Sequence, residues 1–201
     1  MMGNSGPRKQ KPTWDTVPMS SDARNLLNWR YGACALDSDA EDFGPFARLV
    51  GLWQARRGAA GELPARGDLD FFDFKGWWGR IAIARIEHDP FDVRFVLWGT
   101  RLTSWWGVDY TNRSLGEHAH SPDLWRMVEW RYFQAMAEAP FVGVACGGLD
   151  QYDRPYRTIL GVDLPLAEAD QLTHVLMAHI EIPHGESAAT VIPELPIDRY
   201  F

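Results

Sequence analysis

Side chains that can hold a proton, a metal or a nucleophile are few in this chain, and their spacing is informative. His118 and His120 form an H-x-H pair just ahead of the run Ser121–Pro140. That spacing is open to a metal or haem ligand, or simply to loop histidines beside a helix N-terminus. His174 and His179 stand five apart in a segment that reads as a strand, so they face opposite sides and do not converge on one ion. Asp68, Asp70 and Asp73 cluster in a loop without the glycine and distal glutamate of a calcium loop. Helix capping or solvation is the simpler role for them. Cys34 and Cys146 are the only cysteines, which gives no disulfide framework and no cysteine-based zinc pattern; we expect free thiols, with Cys146 packed as a small apolar group. No G-x-S-x-G, H-E-x-x-H, P-loop or dinucleotide-binding glycine pattern occurs.

Bulk properties exclude some partners. The chain has 201 residues and a formal net charge of −7, the wrong sign for broad nucleic-acid or anionic-membrane binding. Its one basic cluster, "PRKQK" (Pro7–Lys11), sits in a polar arm. There is no apolar signal-peptide core and no apolar run near the ~20 residues of a membrane span, so we expect a cytoplasmic protein without membrane or nucleic-acid contact. Ten tryptophans suit cores, dimer contacts and ligand pockets alike.

The elements that must position these residues follow from periodicity. Residues 1–44 read as a polar arm and a short helix, "SSDARNLLNWRYG", stopped by Gly32. Residues 45–182 read as the main domain, and 183–201, with three prolines, as an irregular tail. "GPFARLVGLWQARRG" predicts a helix with one apolar stripe, Phe46, Leu49, Val50 and Trp53. "FFDFKGWWG" reads as a helical turn anchoring aromatics under a sheet. Arg80–Glu87 and Asp92–Gly99 predict a hairpin, with Val93, Phe95 and Leu97 on one face and Arg94, Val96 and Trp98 on the other. A second helix spans Asp123–Ala139, with Ser121 as cap and Pro122 at its first position. Leu124, Val128, Tyr132 and Ala135 share one face of it, while Trp130 and Phe133 lie roughly opposite. Phe141–Gly148, Tyr156–Leu166 and Thr173–Ile182 predict three antiparallel strands on short connections.

Two strands, a helical crossing and three strands is the order of a PAS domain. The residues that carry the likeness are "LPARGDLDFFDF" before the first strand, "FDVRFVLWGTRL" ending the second, "GVDYTNRSLGE" in the crossing and "TILGVDLPLAEADQLTHVLMA" in the last hairpin. The set resembles a bacterial PAS subfamily of short proteins with an N-terminal helical extension, over roughly Arg48–Ile182. One departure is "DLDFF", Asp68–Phe72, where a proline is expected soon after the acidic residue. The resemblance implies an α+β fold: a five-stranded antiparallel sheet with the helical crossing between its second and third strands, plus the N-terminal helices. Gly99-Thr100 is then a hinge where the chain leaves the sheet, and at least one of Trp105 and Trp106 packs inward.

It also implies what the protein does. A PAS-type sensory or regulatory module, standing alone, acts through a signalling partner or through homodimerisation. Trp130, Phe133 and the Phe46–Trp53 stripe supply apolar helical surface for a dimer. A ligand, if bound, is small and apolar or aromatic, and sits between sheet and helix against Phe95, Trp98, Leu124, Val128 and Tyr132. Haem is not expected, since the long helix has no histidine, and covalent flavin chemistry is not expected, since the crossing has no cysteine. No metal is expected either. Two other readings stay open: a ligand-free interaction module with a filled core, and a small α+β isomerase or cyclase, which a cavity holding a desolvated carboxylate or histidine would favour.

Overall fold

The structure is a computed structural model; it describes residues 28–183, 186–195 and 197, without the side chains of Leu124 and Met127. The polar arm and most of the expected first helix lie outside the described residues. The part of that helix inside them is a strand: Trp29–Cys34 forms β1. Its sequence, WRYGAC, buries Trp29 and Tyr31 alternately, and it pairs antiparallel with β4 along an edge that would otherwise be bare. The sheet therefore has six strands rather than the expected five, in the order β1-β4-β5-β6-β2-β3, all antiparallel.

The remaining strands are β2 (Ile81–His88), β3 (Phe91–Trp98), β4 (Val142–Leu149), β5 (Arg154–Glu168) and β6 (Gln171–Ile182). The helices are α1 (Ala47–Ala55), α2 (Thr100–Trp106), α3 (Pro122–Glu138) and a short α4 (Ala188–Val191). The helical crossing, α2 and α3, lies between β3 and β4, where it was expected. Among the described residues, no helix is long and apolar enough to cross a membrane.

Both faces of the sheet are covered. On one, α1 buries Leu49, Val50 and Trp53 against Leu160, Val162, Leu164 and Leu176. The Trp53 indole N–H donates to the Pro165 carbonyl at 3.0 Å, and Phe46 stacks on Trp77 at 5.3 Å. The tail closes this layer with Ala188, Ile192 and Leu195. The Phe46–Trp53 stripe is thus covered within the chain.

On the other face lie α2 and α3. The buried stripe of α3 is Trp125, Val128, Glu129, Tyr132, Phe133 and Met136. It is rotated from the expected face by about one residue, so Ala135 is only half-buried and Phe133 is fully enclosed. Trp130 is half-buried and meets Phe91 edge-on at 6.0 Å. Phe133 is therefore core rather than contact surface, while Trp130 keeps part of its ring exposed.

Gly99 explains how the chain leaves β3. A Cβ there would stand 2.4 Å from the Gly79 carbonyl oxygen and 2.8 Å from that of Ile81. Only glycine lets the start of α2 cross so close to the strand below. Trp105 and Trp106 are then both carried inward.

Candidate functional site

The site is a small cavity between the second sheet face and the crossing. Its position follows from side-chain size along two neighbouring strands. On this face β4 offers Gly143, Ala145 and Gly147 before Leu149, and β5 offers Gly161 and Asp163 after Ile159. Large side chains from elsewhere lie in the shallow trough this leaves. Trp29 of β1 lies over Gly147 and donates its indole N–H to the Gly148 carbonyl at 2.9 Å. Tyr132 of α3 lies over Gly143, where a Cβ would be 1.7 Å from its hydroxyl oxygen.

A bulge sets the opposite wall. The pairing of β2 with β3 slips between Ile83 and Ala84, so Ile83 faces Leu97 and Ala84 faces Phe95. One extra residue in β3 turns Phe95 and Trp98 to the same side, where strict alternation would part them. Their rings meet edge-on at 4.8 Å, and Trp98 touches Trp106 at 5.3 Å and Tyr110 at 5.1 Å. The Tyr110 and Tyr152 hydroxyls are hydrogen-bonded at 2.8 Å, and Trp125 meets both Trp29 and Tyr152 edge-on at 5.9 Å.

The enclosed space is about 40 Å³. It is lined by Trp29, Phe95, Trp98, Trp106, Tyr110, Leu115, Trp125, Glu129, Ala145, Tyr152, Asp163, Met177 and His179. All but Tyr152 are buried. That volume holds a few waters or a molecule of comparable size, not an aromatic ring, which needs roughly 150 Å³.

Three ionisable side chains, Glu129 of α3, Asp163 of β5 and His179 of β6, reach this aromatic box. Their exposures are 7%, 1% and 5%. Tyr132 donates to Asp163 Oδ2 at 2.6 Å. Asp163 Oδ1, Glu129 Oε1, His179 Nδ1 and the indole nitrogens of Trp98 and Trp125 have no hydrogen-bond partner among the described residues. Burial pushes the Asp163 carboxyl up to about 7, against which the Tyr132 hydroxyl acts weakly. Burial, with the nearby Asp163 charge, holds Glu129 well above the ordinary carboxylate range. Burial lowers the His179 imidazole to about 4. Near neutrality His179 is therefore a neutral imidazole, Asp163 divides between its two forms, and Glu129 is biased toward its neutral acid.

Of the residues expected from sequence, Phe95 and Trp98 line the cavity. Val128 is buried in the same layer without lining it, and Tyr132 stands one step behind, acting through Asp163. The side chain of Leu124 lies outside the described residues. The sequence reading places only Phe95, Trp98, Leu124, Val128 and Tyr132 against a ligand; Glu129, Asp163 and His179 also line the cavity. Each was marked in the sequence by phase. Glu129 falls within the apolar stripe of α3, Asp163 interrupts the apolar run "TILGVDLPL", and His179 continues the inward series Val175, Met177.

The other candidates have local roles. His120 pairs with Asp153 at the surface at 3.2 Å, and the His118 ring rests edge-on against Tyr110. Asp68 accepts from the Ala65 N–H at 2.8 Å, Asp70 from the Phe72 N–H at 2.7 Å, and Asp73 binds Arg56 at 2.8 Å. Cys34 and Cys146 form no disulfide, and burial pushes the Cys146 thiol up to about 11. Among the described residues, no group of three or more His, Cys, Asp or Glu side chains is placed to hold a metal ion.

Comparison with protein-family models, with curated proteins and with solved structures returns no match.

Proposed function

We propose that the chain is a PAS-type sensory or regulatory module whose signal is a small molecule held in the cavity between α3 and the sheet. Its output passes to a protein partner or through self-association. The reading is supported by the arrangement of the sheet: β2 and β3, the crossing, then β4 to β6 join one antiparallel sheet, with the crossing laid over one face. The observation that carries it is the cavity. A filled core would satisfy its buried polar atoms or do without them. Here five such atoms belong to residues that line one small cavity, and leaving each unpaired costs about 1–3 kcal/mol. A bound molecule or ordered water offsets that cost.

Native mass spectrometry tests this reading, by comparing the mass of the intact protein with that of the denatured chain. A small molecule carried at constant stoichiometry supports a ligand-sensing module. A bare chain that also takes up nothing from a small-molecule panel returns it to the ligand-free interaction module.

One observation favours a second reading, a small acid–base enzyme. Asp163 and the neutral His179 share a water-poor cavity, and a carboxyl poised near 7 is suited to moving a proton. The fate of the bound molecule separates the two. Recovery unchanged after prolonged incubation supports the sensor; recovery as a substrate–product mixture supports the enzyme.

A further inference from the structure

The polar groups around the cavity are not a neutral mixture. No lysine or arginine lines it, while two carboxyl groups do. An anion would meet Asp163 and Glu129 with no counter-charge, so anionic ligands are disfavoured. A purely apolar ligand would leave Asp163 Oδ1, Glu129 Oε1 and His179 Nδ1 as they are, desolvated and unpaired. A cation removes both problems. It also meets the faces and edges of the surrounding indole and phenol rings, and an aromatic face attracts a desolvated cation.

We propose that this cavity binds a small alkylammonium ion, with Asp163 as its counter-ion and Trp98, Trp106 and Trp125 as the aromatic cage around it. The inference rests on the reading of the cavity as a ligand site and adds the chemical class. Asp163 Oδ2 accepts from Tyr132, while Oδ1 has no hydrogen-bond partner among the described residues. Gly143 beneath Tyr132 permits that contact, so the counter-ion is held in place before anything binds. Glu129 is biased toward its protonated form, since ionising it beside Asp163 would place a second negative charge in the same buried space. His179 remains neutral, so it accepts an N–H or stands aside without repelling a cation. The bound state then carries one cation and one carboxylate and no net charge. The 40 Å³ volume limits the ion to about two non-hydrogen atoms.

The cation makes the ionised form of Asp163 the competent one, so affinity follows its fraction. The titratable groups facing that carboxyl are Glu129 and Tyr132 from α3, His179 from β6, and Tyr110 and Tyr152 from the crossing side. His179 protonates only near pH 4, and the buried phenols Tyr110, Tyr132 and Tyr152 are raised above 10. Between pH 5 and 8, then, neither the imidazole nor the phenols change charge, and the change beneath the ligand belongs to the carboxyls, Asp163 with Glu129 beside it.

The experiment is a titration of the intact chain with methylammonium chloride and with methanol, its neutral counterpart of the same size. Tryptophan fluorescence is the readout, at constant ionic strength. Methylammonium should saturate at pH 8, and methanol should bind at least tenfold more weakly. The ammonium affinity should fall about tenfold per pH unit once the pH is below 6. Asp163→Asn should lose at least tenfold; if that variant does not fold, the pH series on the wild-type chain decides. Equal binding of alcohol and ammonium, or an affinity indifferent to pH, overturns the cation assignment and leaves the ligand-sensing reading standing. Failure of both probes to bind overturns the two together.

Discussion

Tyr132 and Asp163 meet across the α3–sheet interface, hydroxyl to Oδ2, at 2.6 Å. The contact exists because Gly143, the cross-strand partner of Asp163, has no side chain to occupy the place of the hydroxyl. One helix residue, one strand residue and one absent Cβ thus form a single unit, and it can be tested from each side.

Gly143→Ala should push Tyr132 away from Asp163. We expect a loss of about 1–3 kcal/mol of stability from overpacking, and a further rise in the Asp163 pKa as its one donor leaves. Tyr132→Phe should cost a similar amount by stranding the carboxyl. Urea denaturation measures the first effect and infrared titration of the carboxyl band the second. A Gly143→Ala variant of unchanged stability and titration would show the unit to be unimportant.

Stability should respond to pH in an unusual direction. Asp163 keeps its proton to about pH 7 when folded, against an ordinary value of 3.8, so between these values the folded state binds the extra proton and rising pH destabilises. Glu129 acts in the same sense. His179 acts oppositely: folded it stays neutral down to about 4, whereas unfolded it takes a proton below 6.5, so rising pH stabilises between 4 and 6.5. The imidazole and the Asp163 carboxyl therefore offset one another up to pH 6.5, and above it only the carboxyls act. Unfolding free energy should fall from pH 6.5 toward about 8, by up to ~1 kcal/mol per pH unit. Asp163→Asn should reduce that slope up to about pH 7. A wild-type stability that rises over this window would contradict the assignment.

Ala145→Val places two methyl groups at the cavity wall. Because Ala145 borders real space, the variant should fold with stability within about 1 kcal/mol of the wild type and show no fluorescence response to any small ligand. Val128→Trp should behave differently. Val128 is buried without facing the space, so the larger ring should cost about 1–3 kcal/mol. Thermal denaturation of the two variants side by side distinguishes a cavity from a packed layer.

Among the described residues, self-association has an exposed aromatic cluster to use. Phe71, Phe72 and Trp78 are 63%, 76% and 47% exposed, and Phe71 stacks on Trp78 at 4.9 Å. A homodimer built on this cluster should give twice the chain mass by light scattering at tens of micromolar, and Phe72→Ser should return the mass of one chain. A wild-type chain that is already monomeric ends the dimer.

Much of this was readable in the sequence where local pattern and tertiary demand agree. The stripe of α1, the β2–β3 hairpin, the caps of α3 and the three closing strands all follow from period and turn chemistry. Two features do not. Trp29–Cys34 has helix-like flanks and becomes a strand only because β4 presents an unpaired edge, a fact of the assembled sheet. The bulge that brings Phe95 and Trp98 together depends on how β2 meets β3, which no single segment encodes. The charged side chains of the cavity were visible as interruptions of apolar phase. Their meaning was hidden because Asp163, His179 and Glu129 converge from three separate elements.

Of the two edge strands in the cavity wall, β3 is also bridged to Ser114 of the crossing, so β1, paired with β4 alone, is the less firmly held. Trp29 rides on it and closes that side over Gly147. Peeling β1 from β4 breaks one ladder and leaves the other five strands paired. The cavity therefore has a door whose opening is far less costly than unfolding the chain. How fast a molecule comes and goes should be set by this strand rather than by the tightness of the site. The amides of Trp29–Cys34 should exchange with solvent at the same rate at which a bound molecule departs, and should slow together with it when the cavity is occupied.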